Sequence, residues 1–323
     1  MFHTMIIAAS LFRRFATNGA PVVAFATATA SAFLSLRRSN RKGPNRPQQV
    51  RSGLRLGLLA LSLVLMLSAC SSVSDNEPLV IDRVEAERTW QAARITVPDA
   101  LDGTVIRSST DALDDGTLTL VDPVPVAVWM HGCSGFYAGT WQRMQFLSEL
   151  GFVVIAPDSL ARSFYPVSCD TSSQRAGLYR PTLGLRQQDA AYALEQLDRY
   201  DWVDRQRVFL MGFSEGGTVS ATFIDNEQRL RGRLIEGWVC QSDWAEYAGL
   251  QATPAEWVLA LVAAADPWYQ AAFYEGDCRE FMPVNGVNES LVLTAPDLIN
   301  RHSLLDTIAG QELARNFLLQ ALR

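Results

Sequence analysis

Gly212-Phe213-Ser214-Glu215-Gly216-Gly217 runs on directly from the apolar stretch Val208-Phe209-Leu210-Met211, and a helix-like segment follows it. A serine on a sharp strand-to-helix turn has its hydroxyl pushed above the sheet, and small residues on either side relieve the crowding that such a turn creates. Gly212 and Gly216 supply that room. A bare G-x-S-x-G recurs by chance and reads equally well as a glycine-rich turn with an inert serine. Bracketed by a buried strand and a helix it reads as a nucleophile elbow.

A serine nucleophile of this kind needs a general base, and the chain has three histidines, His3, His131 and His302. His3 lies in a leader-like segment. His131 belongs to His131-Gly132-Cys133-Ser134-Gly135 and follows the strand-like Val126-Ala127-Val128-Trp129-Met130, where an oxyanion loop is expected. It is expected to brace that loop, which leaves His302 as the base. In doubly wound hydrolases the acid falls between serine and histidine along the chain. Asp266 fits best, because it ends the apolar run 257–265 and Pro267 forces the chain out of the strand; Asp243 and Asp297 are the second and third choices.

Strand-like runs recur at 124–130, 152–157, 208–213, 234–240, 257–265 and 290–294, separated by helical patterns such as 186–200 and 311–322. This alternation predicts an α/β chain with a doubly wound, mostly parallel sheet covered by helices on both faces. Two earlier β-prone segments, 93–97 and 117–121, are expected to form an antiparallel edge. Residues at the carboxyl ends of the strands should then converge on one crevice.

Nine of the 28 lysines and arginines, and none of the 34 acidic residues, precede residue 70, so the remainder carries a formal charge of −15. Such an acidic body lacks the basic footprint that nucleic-acid binding requires. Arg51 and Arg55 precede the apolar run 56–67, which ends in Leu67-Ser68-Ala69-Cys70. A charged region, a short apolar region and a small-residue cleavage site make a signal peptide over 50–69, the run being shorter than the ~20 residues of a membrane span. Its ending resembles the lipobox of bacterial lipoproteins. That resemblance implies a lipid on Cys70, a polar tether over 70–78, and a catalytic domain over 79–323 anchored in the cell envelope. The anchored domain would face the periplasm, and Ser71 after the cysteine favours the outer membrane. Residues 1–49 are expected to be translated upstream sequence or an extra leader.

Four further cysteines, Cys133, Cys169, Cys240 and Cys278, then lie in a compartment that permits disulfides. Of the three possible pairings, placement after successive strands favours Cys240 with Cys278 first and Cys133 with Cys169 second. No cysteine or histidine cluster has metal-ligand spacing, and no cofactor is expected. The oxyanion donors should be the backbone amides of Glu215 and Cys133. Trp141, Trp244 and Trp268 each follow a motif at a strand end and are candidates to line the substrate pocket. Arg162 is a candidate to hold an anionic substrate group, although a salt bridge to a nearby carboxylate is the commoner use of such an arginine.

From about Pro125 to Asp306 the chain resembles the dienelactone hydrolase family of α/β-hydrolases, and in particular its exported, cysteine-bearing members. The resemblance is carried by residues 131–135, Pro157-Asp158-Ser159 with Cys169, Arg186 with Asp189-Ala190 and Leu194, the elbow at 212–217, Asp266 with Cys278, and His302-Ser303-Leu304-Leu305-Asp306. It implies the α/β-hydrolase fold and cleavage of an ester or lactone, with Ser214, Asp266 and His302 in the triad positions. The enzyme that names the family uses a cysteine where Ser214 stands, which turns the expectation away from dienelactone itself. Two other readings fit the same residues: a serine peptidase acting on short peptides, and a catalytically silent envelope lipoprotein that binds a ligand.

Overall fold

The inner strands are built on apolar runs covered on both faces, as parallel strands require, although one opens on the polar segment Asp204-Arg205-Gln206-Arg207 and another buries Arg233 and Glu236. Strands β3 (Val124–Met130), β4 (Val153–Ala156), β7 (Val203–Phe213), β8 (Gly232–Glu236) and β9 (Trp257–Ala263) follow this rule, and β10 (Glu289–Leu293) lies at the sheet's edge. The structure, a computed structural model, describes residues 79–99, 104–120 and 123–323. The readings for 1–49, for the signal peptide over 50–69, and for Cys70 and its tether over 70–78 lie outside the described residues.

With β1 (Arg94–Pro98) and β2 (Val105–Ser109), these strands form an eight-stranded sheet in the order β10-β9-β8-β7-β3-β4-β1-β2. Among the described residues, β1 alone runs against the rest, pairing antiparallel with both β4 and β2. Alternation along β3 sends Val126, Val128 and Met130 into one core and Ala127 and Trp129 into the other. The first core is closed by α1 (Arg83–Gln91), α4 (Thr182–Gln196) and α5 (Glu215–Thr222), through residues such as Trp90, Leu194 and Val219. The second is closed by α3 (Ala138–Glu149) and α6 (Ile308–Ala321), through Met144, Leu147 and Phe317. This is the α/β-hydrolase fold. Its strand order reverses between β3 and β7, and a crevice opens at the carboxyl ends where an order reverses.

The edge differs from expectation. Val105–Ser109 pairs with β1, whereas residues 117–120 form a loop, and Val121 lies outside the described residues. The cause is local: α2 (Thr110–Asp114) ends at Asp115-Gly116, where Gly116 has φ +78° and the Asp115 carboxylate accepts the Thr117 amide at 2.8 Å. That turn commits Leu118 and Leu120 to pack on the core from a loop. β8 also stops at Glu236, four residues short of the expected strand end, because Gly237 turns the chain at φ +64°.

Candidate active site

The elbow is built by contacts that leave no room for side chains. A Cβ on Gly216 would lie 2.0 Å from the Met130 carbonyl oxygen of β3, and one on Gly212 would lie 2.2 Å from the carbonyl oxygen of Gly216. So tight a turn forces Ser214, between β7 and α5, to φ +57° and ψ −120°. A non-glycine residue held there stores about 1–3 kcal/mol of strain. Two backbone hydrogen bonds fix it: Ser214 donates to the Glu236 carbonyl at 2.8 Å, and Thr218 donates to the Ser214 carbonyl at 2.9 Å.

Above this turn the three expected side chains form one chain of hydrogen bonds. His302 Nε2 lies 2.8 Å from Ser214 Oγ, and His302 Nδ1 lies 2.8 Å from Asp266 Oδ2. Asp266 sits on the turn after β9, where its Oδ1 accepts the Trp268 amide at 3.0 Å. His302 follows β10. Its ring is stacked on Trp268 at 5.1 Å between centroids and flanked by Phe213 at 4.9 Å and Tyr269 at 5.7 Å. Asp266, not Asp243 or Asp297, is the carboxylate that reaches the imidazole.

The loop after β3 is braced by His131. Its Nδ1–H donates to the Gly132 carbonyl at 2.7 Å, and Nε2 accepts the Ser159 amide at 3.1 Å. Complete burial, with help from the nearby Arg186 charge, pulls its pKa from 6.5 to about 3, so the ring is neutral. Cys133 and Glu215 both line the pocket that contains Ser214. The Glu215 amide opens α5, where first-turn N–H groups have no intrahelical acceptor. The Glu215 carboxylate is tied down by Arg186 at 3.1 Å, Ser168 at 3.0 Å, Tyr165 at 3.2 Å and Thr182 at 3.1 Å. It is thereby held as an anchor between α5 and α4.

Both expected disulfides are present, Cys133–Cys169 and Cys240–Cys278. The first ties the loop after β3 to a small hairpin, β5 (Cys169–Asp170) and β6 (Arg175–Ala176), whose Ala176 and the following Gly177 line the pocket.

The four candidate substrate contacts separate. Trp244 lines the pocket. Trp268 touches the imidazole instead. Trp141 lies in a different cleft, beneath the Arg107 guanidinium at 4.3 Å and beside Phe136, so its place as a pocket residue is corrected. Arg162 is corrected too: Asp189 Oδ1 accepts from its Nη2 at 2.6 Å and from its Nε at 3.0 Å, and the guanidinium is buried and spent.

Two features escaped the sequence reading. One is the aromatic wall formed by Trp238, Tyr247, Tyr269 and Tyr274 beside Trp244. The other is Glu236, fully buried at the end of β8, which receives Arg143 at 2.6 Å on each oxygen and the Leu304 and Leu305 amides at 2.7 and 2.8 Å. One carboxylate therefore grips the loop that carries His302, while its own carbonyl holds the Ser214 amide. An acid directly after the apolar pair Leu234-Ile235, inside a run expected to be a buried strand, was the available signal.

The chain matches no protein-family model and no curated protein. Among solved structures it is similar to a Klebsiella pneumoniae protein assigned as a dienelactone hydrolase, at 14% identity and TM-score 0.48, covering 71% of this chain and 98% of that one. A dienelactone hydrolase-like promiscuous phosphotriesterase from metagenomic libraries is 19% identical at TM-score 0.46, covering 71% and 97%. The thermostable carboxylesterase EstE1, also metagenomic, is 13% identical at TM-score 0.44, covering 75% and 96%. The site's own geometry, and not these likenesses, carries the functional reading.

Proposed function

We propose that this chain is a serine hydrolase that cleaves a carboxylic ester or lactone through an acyl-enzyme. The observation that carries the reading is the pair of 2.8 Å contacts that join Ser214 to His302 and His302 to Asp266. His302 takes the Ser214 proton as Oγ attacks the carbonyl carbon, and Asp266 orients the ring and stabilises the imidazolium. The amides of Glu215 and Cys133 receive the oxyanion. His302 then protonates the departing alcohol, and water releases the acyl group by the same steps in reverse order.

None of the residues lining the pocket is cationic, so the carboxylate of a dienelactone would find no countercharge there. Arg162 and Arg186, the nearby candidates, are already engaged by Asp189 and Glu215. This favours an uncharged ester. The test is turnover of p-nitrophenyl acetate with labelling by a fluorophosphonate probe. Ser214→Ala is expected to lose both, at least ~10³-fold in kcat, while keeping its circular dichroism spectrum. Full activity in that variant would remove Ser214 from the mechanism, and a folded wild type that neither labels nor turns over ester would leave a binding protein.

A further inference from the structure

If acyl transfer at Ser214 is accepted, as the preceding reading holds, the leaving alcohol must lie against His302 Nε2 to receive its proton. The pocket beside Ser214 is lined by both oxyanion residues but not by His302. It therefore receives the part of the substrate that stays on the enzyme, the acyl group. Its volume is about 20 Å³. A single water needs roughly 10–15 Å³, whereas a cavity that takes benzene measures roughly 150 Å³. The space beside Ser214 thus lies near the one-water end of that range and suits a small acyl chain.

The walls that set this limit are interlocked. Trp238 meets Tyr247, Tyr269 and Tyr274 edge to face, at centroid distances of 6.5, 5.7 and 6.1 Å. The phenols of Tyr247 and Tyr269 are committed to the carbonyls of Arg180 and Gly237. Trp244 meets Tyr247 edge to face at 5.3 Å and lies so close to Gly177 that a Cβ there would come within 2.3 Å of the indole. Cys240–Cys278 joins the segment after Trp238 to the segment after Tyr274. Aromatic rings fixed this way give little to an extra methylene, because packed interiors resist small volume changes. We propose that this protein is selective for acetyl-sized acyl groups, the bulk of its substrate lying on the alcohol side outside the pocket.

A second cavity of about 290 Å³ lies behind the same wall and shares Tyr269 and Tyr274 with the acyl pocket. Tyr269 flanks His302, whereas Tyr274 packs on Tyr269 and Phe273, so Tyr274 is the wall residue whose removal joins the cavities. Because Asp266 also lines the second cavity, the readout is the ratio of two esters on one enzyme. The experiment compares p-nitrophenyl acetate, butanoate and octanoate on the purified full chain and on Tyr274→Ala. In the wild type, kcat/KM is expected to fall at least tenfold from acetate to butanoate and further to octanoate, within the roughly 10–200-fold per methylene that pocket fit commands. In Tyr274→Ala the butanoate-to-acetate ratio is expected to rise at least tenfold. Should that variant not fold, Tyr274→Leu reads the same ratio, and the wild-type series stands by itself. Octanoate turned over as well as acetate, with Ser214 labelled, would overturn the acetyl limit alone. Silence toward all three esters with Ser214 unlabelled would overturn the acyl-transfer reading and the limit with it.

Discussion

Ser214 and His302 arrive at one hydrogen bond by opposite routes. The serine is placed by its own neighbours: Gly212 and Gly216 let β7, α5 and β3 approach so closely that the chain has no other way to turn. The histidine has no such local device. It sits on a loop after an edge strand, and it is positioned by side chains about 70 to 160 residues away, Glu236 gripping the amides of Leu304 and Leu305 while Arg143 neutralises the grip. Local strain builds one half of the site and a buried ion pair builds the other. The second half is therefore vulnerable to changes that no reading of its own segment would flag.

Removing Glu236 should break the comparison hardest. Glu236→Ala leaves the Arg143 guanidinium buried without its carboxylate, only the Tyr137 hydroxyl still accepting from it, and two loop amides unsatisfied, a change expected to cost about 3–5 kcal/mol. Urea unfolding reads the loss. In the fraction that stays folded, kcat should fall more than KM rises, because the imidazole is no longer held. Arg143→Ala should be nearly as damaging, and the double variant should lose clearly less than the sum of the two. Strict additivity would show that the two side chains act separately, and the remote half of the comparison would collapse. On the local half, Gly216→Ala drives a methyl into the Met130 carbonyl, a backbone atom that cannot swing aside. The expected cost is about 3 kcal/mol, the upper end for overpacking, again read as a shift in the urea midpoint. Near-neutral behaviour would mean that the elbow has more slack than its contacts allow.

The same division explains what could be read from the sequence. The tight turn at Ser214, the parallel sheet and the meeting of Ser214, Asp266 and His302 were legible, because each depends on small residues or apolar runs next to the feature itself. Both cysteine pairings were legible for a related reason: each cysteine lies in a connection that leaves the carboxyl end of a strand of the large sheet, and those ends gather at one crevice. Glu236 and Arg143 were not, since nothing near either residue says what it will face. Nor was the aromatic wall, which draws on the turn after β8 and the loop after Asp266. Arg162 and Trp141 were misplaced through the same blindness. A residue near a motif in sequence can point away from it, and Asp189, on α4, claimed the guanidinium. The edge strand was misjudged where a turn at Asp115-Gly116 overrode a β-prone composition.

A third, smaller effect tests the loop after β3, which combines the two strategies: a small residue, Gly132, and a buried side chain, His131. The ring is useful only while neutral, since Nε2 accepts the Ser159 amide and a proton there would leave that amide opposed by another donor. Asp158 lies 3.7 Å from the same nitrogen, but with the lone pair already engaged by the amide the contact is not an ion pair. The folded pKa of about 3 lies below the unfolded value of 6.5, so only the unfolded chain takes up the proton as pH falls. Stability from this group is complete above about pH 6.5 and is lost progressively as pH falls toward 3. Between pH 7 and pH 5 the loss should be about 2 kcal/mol, and the urea midpoint should drop accordingly. His131→Gln has no such group to titrate. It should start less stable at pH 7, because the brace is weakened, yet change much less between the two pH values. If wild type and variant lose the same amount, the acid sensitivity belongs to other groups, and His131 braces its loop without making that brace depend on pH.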